Sequence, residues 1–328
     1  MKKQLFLFIN LEFVKITFHL CKKNTMLRLN VTNETSKLRA VVLGTAESCG
    51  PTPKPEDAYD PKSLEHILAG TYPVEADMVN EMEAFNMVLT KYNVQVFRPS
   101  VLKDCNQIFS RDIAFVIEDV FFKANILPDR EEEFLAINHV LEQIDPNKIV
   151  YLPEEAHIEG GDVMPWNDYI FIGTYTAENY SHQITARTNK IAVEYIRKYF
   201  PNKTVKSFEL RKSTNARENA LHLDCCFQPV GTNKAILHKN GFLIEEEYQW
   251  LVDYFGRENI FEITSDEMYH MFSNVFSISP EVVVSEKNFT RLNNWLRAQG
   301  FIVEEIPYAE IAKQEGLLRC STMPLIRD

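Results

Sequence analysis

The last nine residues of the chain open with a thiol, Cys320, and two earlier clusters supply what a reactive thiol needs: His222-Leu223-Asp224 and Glu159-Gly160-Gly161-Asp162. A further acid sits in Arg111-Asp112. A thiolate is a strong, soft nucleophile, an imidazole moves protons at neutral pH, and carboxylates hold a cation. Such a set suits a poor electrophile such as a guanidinium carbon, whose charge is spread over its nitrogens. Asp112 and Asp224 could grip that planar cation by paired hydrogen bonds. His222 could protonate the departing amine and then deprotonate water, with Glu159 orienting it, while Cys320 carries a covalent thiouronium adduct between the two steps.

Each residue has a plainer explanation when taken singly. Asp112 and Asp224 suit turns, His222 suits a hydrogen-bonded core position, Gly160-Gly161 suits a tight backbone path, and Cys320 could be a buried structural thiol. What joins them is a repeat. Between residues 110 and 320 one unit recurs: apolar strand, polar turn, second strand, helix, further strand. Hairpins are expected over Ile113 to Ala124, turning at Glu118-Asp119, and Gly161 to Thr174, turning at Pro165-Trp166-Asn167-Asp168. Two more cover Asp224 to His238, turning at Gly231-Thr232-Asn233, and Asn274 to Glu286, turning at Ser279-Pro280-Glu281. Amphipathic helices follow near 131–143, 187–200, 245–255 and 288–299, and an earlier one carries Met78, Met82, Phe85 and Leu89 on one face. Each leads into a short strand.

Hairpin starts at 113, 161, 224 and 274 give the period of a propeller-like array rather than of a doubly wound sheet. A fifth unit is expected from both ends of the chain, Leu38 to Leu43 and the segment after Cys320. The fold class is therefore α/β, a five-bladed pseudo-symmetric propeller of ββαβ-type units closed by the N- and C-terminal strands. In such a ring equivalent positions meet near the axis, so Arg111-Asp112, Glu159, His222, Asp224, Asn274 and Cys320 would line one pocket.

Composition narrows the classes. The chain has 328 residues, 45% of them hydrophobic, and a net charge of −11. Length and apolar content suffice for one large core, read as a single catalytic domain over 26–328. The acidic balance lacks the footprint of a nucleic-acid binder and favours a small cationic ligand. Six cysteines without CxxC or framework spacing fit a reducing cytoplasm, with at least one of Cys225 and Cys226 a buried hydrophobe on a strand. Strand alternation would send that pair to opposite faces, so no zinc site is expected with His222. No dinucleotide or phosphate-loop motif occurs, and no cofactor is expected. Residues 1–25 imitate a signal start, but Glu12, Lys15 and His19 interrupt it. They read as an extension outside the fold, too short for a membrane span. The oligomeric state is left open, a homo-oligomer included.

The motifs Phe109-Ser110-Arg111-Asp112, Glu159-Gly160-Gly161-Asp162-Val163, Arg187-Thr188-Asn189, His222-Leu223-Asp224, Ser273-Asn274-Val275-Phe276 and Arg319-Cys320 through Arg327 occur here in that order. In them the chain resembles the guanidino-group-modifying enzymes, namely arginine deiminases, dimethylarginine dimethylaminohydrolases and amidinotransferases, which share a five-bladed pentein propeller. The resemblance implies Cys320 as nucleophile, His222 as general acid/base, Glu159 as its partner, and Asp112 and Asp224 as guanidinium-binding carboxylates. It also implies substrate contacts from Arg187, Arg111, Arg319 and Asn274. The stretch Thr174 to Ala186 is longer than the usual connection and could form a lid or selectivity loop. The Glu-Gly-Gly-Asp order and the Met-Pro-Leu-x-Arg ending are similar to arginine deiminase-like hydrolases. Typical amidinotransferases carry an aspartate in place of Glu159 and a glycine-rich approach to the cysteine, where this chain has Gly316-Leu317-Leu318-Arg319. Hydrolysis is thus the first expectation and amidino transfer the second. A non-catalytic binding module of similar shape is the third, disfavoured by the presence of the whole reactive set.

Overall fold

A computed structural model describes residues 26–328; the extension expected over 1–25 lies outside the described residues. Fifteen strands form five three-stranded sheets. The first strands in the chain, β1 (Leu38–Leu43) and β2 (Gln95–Phe97), are parallel neighbours. Next come β3 (Ala114–Ile117), β4 (Val120–Lys123) and β5 (Ile149–Tyr151) in one sheet, and β6 (Val163–Trp166), β7 (Tyr169–Thr174) and β8 (Thr204–Glu209) in another. Two further sheets hold β9 (Phe227–Val230), β10 (Lys234–Leu237) and β11 (Ile260–Glu262), then β12 (Phe276–Ser279), β13 (Val282–Glu286) and β14 (Ile302–Ile306). The last strand, β15 (Thr322–Arg327), pairs antiparallel with β1.

All five sheets share one plan. An opening strand pairs antiparallel with the middle strand, across a short turn in four of the sheets, and the middle strand pairs parallel with a third that returns through a connection containing a helix. In the fifth sheet the opening strand is β15, so the two ends of the chain build one unit together, as the spacing had suggested. Burial grades across each sheet. The opening strands β3, β6 and β9 are buried throughout, whereas β2, β5 and β11 carry mostly half-buried or exposed residues. The opening strands therefore face the middle of the molecule and the third strands its rim.

The helices cover the flanks with the stripes that their spacing dictates. The helix Glu75–Lys91 buries Met78, Met82, Phe85 and Leu89, and the Phe85 ring meets Phe276 and Tyr308 edge-on at 5.7 and 5.8 Å. Thr290–Ala298 turns Leu292 and Leu296 inward and is followed by Gly300 at φ 90°. Two expectations need correction. The helix foreseen over 131–143 is broken into Glu132–Leu135 and Asn138–Leu141 because the Ala136 carbonyl accepts from Ser100 N instead of from the next helical turn. The turn foreseen over Pro165–Asp168 is shorter: Pro165 and Trp166 stay in β6 opposite Ile170 and Tyr169, and Asn167 takes the left-handed φ of 55° that closes it. Sequence reading also passed over the helix Pro61–Leu68, although Asp60-Pro61 is a strong start signal: the Asp60 carboxylate accepts from Ser63 N.

Ahead of each opening strand lies a single turn of chain. These turns are Ser110–Ile113, Gly160–Asp162, Leu223–Cys225, the stretch 271–274 and the stretch 317–321. Cys225 sits in its turn and not on a strand as expected; β9 begins only at Phe227. The turns bond to one another. Arg111 N donates to Cys320 O at 3.0 Å, Arg319 N to Asn274 O at 3.3 Å, Ser273 Oγ to Asp224 O at 2.8 Å and Leu223 N to Asp162 Oδ1 at 2.9 Å. Gly160 completes the set, for a Cβ there would stand 2.1 Å from Arg111 O. Gly160→Ala should therefore force two turns apart and lower stability by roughly 2 kcal/mol, read as a drop in the urea midpoint. An unchanged midpoint would show that the turns are free to separate.

Candidate active site

The turns carry the reactive side chains because a one-turn segment at the buried end of a strand points its side chains past the sheet rather than onto its faces. Asp112 comes from the first turn, Glu159 from just before the second, His222 from just before the third, Asn274 from the fourth and Cys320 from the fifth. All are buried, and Asp112, His222 and Cys320 line one cavity of about 370 Å³. His222 Nε2 lies 2.8 Å from Glu159 Oε2, and its Nδ1 lies 3.9 Å from Asp112 Oδ1. Gly161 is needed beside this ring, since a Cβ there would meet His222 Nδ1 at 2.5 Å.

Cys320 is clasped from both sides. Asn274 Oδ1 accepts from its backbone N at 3.1 Å, Asn274 Nδ2 donates to its sulfur at 3.1 Å, and Asp224 Oδ2 lies 3.5 Å from that sulfur. Burial, then the Asp224 and Asp112 carboxylates, push the thiol well above its ordinary value. These surroundings favour the protonated thiol over the thiolate. His222 shows the opposite balance. Burial opposes its imidazolium, but the Asp112 charge and the Glu159 hydrogen bond outweigh that, and its pKa is raised. Glu159 is held below the carboxylate range despite its burial, by Arg187 and by His222.

Several expected contacts have other partners. Arg187 Nη1 donates to both Glu159 oxygens at 3.1 and 3.2 Å, Nη2 donates to Tyr59 O and Nε to Ile184 O. The long 174–186 connection serves this residue: Tyr175 N donates to Thr188 O, and the loop with Glu159 and Arg187 borders a second cavity of about 380 Å³. Arg319 was expected to meet substrate, yet it does not line the main cavity. Its five donors are all engaged, by Glu34, Asp224, Gly161 O and Val163 O. Arg111 is likewise buried away from the cavity, its Nε donating to Arg319 O at 3.4 Å, and Asn274 meets Cys320 rather than open space. Asp224 spends Oδ2 on Arg319 Nη1 at 2.8 Å.

The structure adds residues that sequence reasoning missed. Arg130 lines the cavity, donates to Asp112 Oδ2 at 2.9 Å and forks onto Glu133 at 2.7 and 2.9 Å. This leaves Asp112 Oδ1 buried and without a hydrogen-bond partner among the described residues. Tyr59, Asp60, Ser63 and Ile67 close one wall with Glu315, a left-handed residue whose carboxyl is pushed well up by burial and by Asp60. Only the Asp60-Pro61 start signal could have pointed to this wall. Glu34 sits in a loop and Arg130 at the end of the single turn Pro128–Arg130, and neither carries a readable signal. Asp112, Glu159 and His222 each place one potential ligand atom within 4.8 Å of the others, a grouping able to receive a small cation. No helix of the described residues is long and apolar enough to cross a membrane.

Comparison with known proteins agrees with this geometry. A family model described as N,N dimethylarginine dimethylhydrolase, eukaryotic, matches residues 71–327. The uncharacterized protein YkgA of Bacillus subtilis is 30% identical over 241 residues, covering 73% of this chain and 77% of its own. Among solved structures, the amidinotransferase SxtG of Microseira wollei superposes with a TM-score of 0.73 at 16% identity, over 92% of this chain and 98% of its own. The N-terminal domain of ArgZ, an arginine dihydrolase from cyanobacteria, gives 0.71 at 15%, over 89% and 98%. Five like-built sheets, a buried His–Glu pair beside a buried thiol and the family match over most of its length together show that the chain belongs to the N,N-dimethylarginine dimethylhydrolase family, within the guanidino-group-modifying superfamily.

Proposed function

We propose that this protein is a cysteine-dependent hydrolase of a guanidino compound, arginine or an arginine derivative, and that its five units close into a ring whose inner turns form the active site. The observation that carries the reading is the placement of His222, paired with Glu159 at 2.8 Å, on the same cavity as Cys320 and the unpartnered Asp112 Oδ1. Asp112 Oδ1 is a vacant acceptor at the depth where a planar cation would rest. Asp224 does not line the cavity but lies against the sulfur, and in this proposal it takes the cation's other edge once the carbon reaches Cys320. Ring closure is supported by the bonds that link successive turns, including the link from the last turn back to Arg111.

The steps balance as follows. The bound cation offsets the Asp112 and Asp224 charges, so Cys320 loses its proton to solvent and the sulfur attacks the guanidinium carbon. The C–N bond to the departing nitrogen breaks as the imidazolium of His222, favoured by the Asp112 charge and the Glu159 hydrogen bond, gives that nitrogen its proton. The neutral imidazole then takes a proton from water, the resulting hydroxide attacks the thiouronium carbon, and the C–S bond breaks to release a ureido product. Glu159 holds the imidazolium in place throughout, and Arg187 fixes Glu159. The companion product is ammonia or an alkylamine, according to which nitrogen leaves.

Cys320→Ser should reduce amine or ammonia release by about 10⁴-fold or more while the melting temperature stays close to that of the parent. Turnover that survives this change ends the nucleophile assignment. His222→Ala removes the base of the second half-reaction, so turnover should fall by about 10²–10⁴-fold and a substrate adduct on Cys320 should persist in intact-protein mass spectra. Absence of that adduct, with a substrate the parent processes, contradicts the proton-transfer role. Alkylation of Cys320 in the free protein should accelerate only above the ordinary thiol pKa of about 8.5, whereas the rising limb of kcat, which reports the complex, should lie at lower pH. A free-protein thiol that reacts with a lower apparent pKa would overturn activation by the bound cation.

A further inference from the structure

Off the reactive cavity three arginines bear on one another: Arg111 from the first turn, Arg319 from the last and Arg327 from the far end of β15. All are buried. Glu34, on the segment leading into β1, binds the Nε–Nη2 edge of Arg319 at 3.0 and 3.2 Å and lies 4.0 Å from Arg111 Nη1. Asp224 takes Arg319 Nη1. The charges that bear on Arg111 are Arg319, Glu34, Arg327 and Asp224. Among the described residues the cluster thus sets three guanidiniums against two carboxylates, an excess of one positive charge in the interior.

The donors are unbalanced in the same sense. Arg319 is saturated, but Arg111 Nη2 and Arg327 Nε are buried without a hydrogen-bond partner among the described residues. So is the hydroxyl of Ser277, whose carbonyl accepts from Arg327 Nη2 at 2.9 Å. Arg327 Nη1 donates to Ser36 O at 2.6 Å, and its guanidinium lies over the Phe276 ring at 5.1 Å. A buried cation without a counterion is costly, and arginine does not escape by losing its proton near neutral pH. Burial and the neighbouring Arg319 push Arg111 down to about 9, and burial pushes Arg327 down to about 10. Both groups therefore keep their charge and lack an acceptor.

We propose that this arginine cluster is a binding site for one small monovalent anion, chloride in ordinary salt, which accepts from Arg111 Nη2 and Arg327 Nε. The ion would bring the cluster to charge balance and supply the acceptor that the two donors lack. Water would satisfy the donors but leave the charge. None of the three arginines lines the main cavity, and Arg319 shares its guanidinium between Glu34 and Asp224.

Crystals of the full chain grown or soaked in sodium bromide should give an anomalous peak within hydrogen-bonding distance of both Arg111 and Arg327. In solution, the melting temperature should rise by a few degrees and then saturate as chloride replaces gluconate at constant ionic strength. Charge balance fixes how variants behave. Glu34→Gln removes a competing carboxylate and should increase the chloride-dependent shift, while Arg111→Gln should abolish it. If Arg111→Gln does not fold, the bromide map and the Glu34→Gln response decide the matter. A bromide map with ordered water and no anomalous peak between the two arginines, or a melting temperature that does not distinguish chloride from gluconate in either the parent or Glu34→Gln, overturns the proposal.

Discussion

The buried guanidinium of Arg319 is the interaction on which the site depends. Its five donors reach Glu34, Gly161 O, Val163 O and Asp224, which lie up to 285 residues from it along the chain. The next residue is Cys320, so whatever fixes Arg319 also fixes the thiol against Asn274 and Asp224. Loss of one partner from such a buried ionic network costs about 3–5 kcal/mol, since the other charge is left without compensation. A salt bridge this deep is a poor source of net stability but a strong constraint on geometry. Alternative packings of the turns would strand a charge.

The same logic explains why small residues and short side chains crowd the inner turns. Backbone must approach backbone at Gly160 and Arg111, and an imidazole must lie against Gly161. Those close approaches leave the polar groups of each turn facing the next turn rather than water. His222 and Cys320 are consequently held by neighbours from other units, Glu159 and Asn274, while Asp112 is held from within its own unit by Arg130 on the β4–β5 connection. The precision of the site is a property of the contacts between units, with no single unit holding a complete set.

This division also sets what the sequence could reveal. The hairpins, the flanking helices and the joining of β1 with β15 were legible because apolar alternation and turn residues are local signals, repeated with little change in each unit. The helix over 131–143 was misread because its break comes from a long-range bond, Ser100 N to Ala136 O, which leaves no trace in the helical pattern. His222, Glu159, Asp112 and Cys320 were legible as a set because they occupy matching places in the repeat. Arg130 and Glu34 were not, since one ends the short turn Pro128–Arg130 and the other lies in a loop, and packing decides where each points. Arg319 was visible but wrongly directed: next to a candidate nucleophile it looked like a substrate ligand, and only its saturated donors reveal an inward role.

The acidity of the site then carries a consequence for selectivity. Asp112 and Asp224 would attract a guanidinium, yet the same charges, added to burial, hold the Cys320 thiol in its protonated form. On the proposed mechanism one pair of groups governs both binding and activation. A neutral molecule of the right shape would fill the cavity without relieving the field on the sulfur, so the nucleophile would stay unformed. A planar cation relieves it in the act of binding, and the interaction that lowers the energy of the bound cation is the one that makes thiolate accessible. Coupling of this kind needs no moving lid to discriminate, because the charge of the ligand completes the nucleophile. It also protects a thiol that would otherwise be open to oxidants and alkylating agents while the cavity is empty.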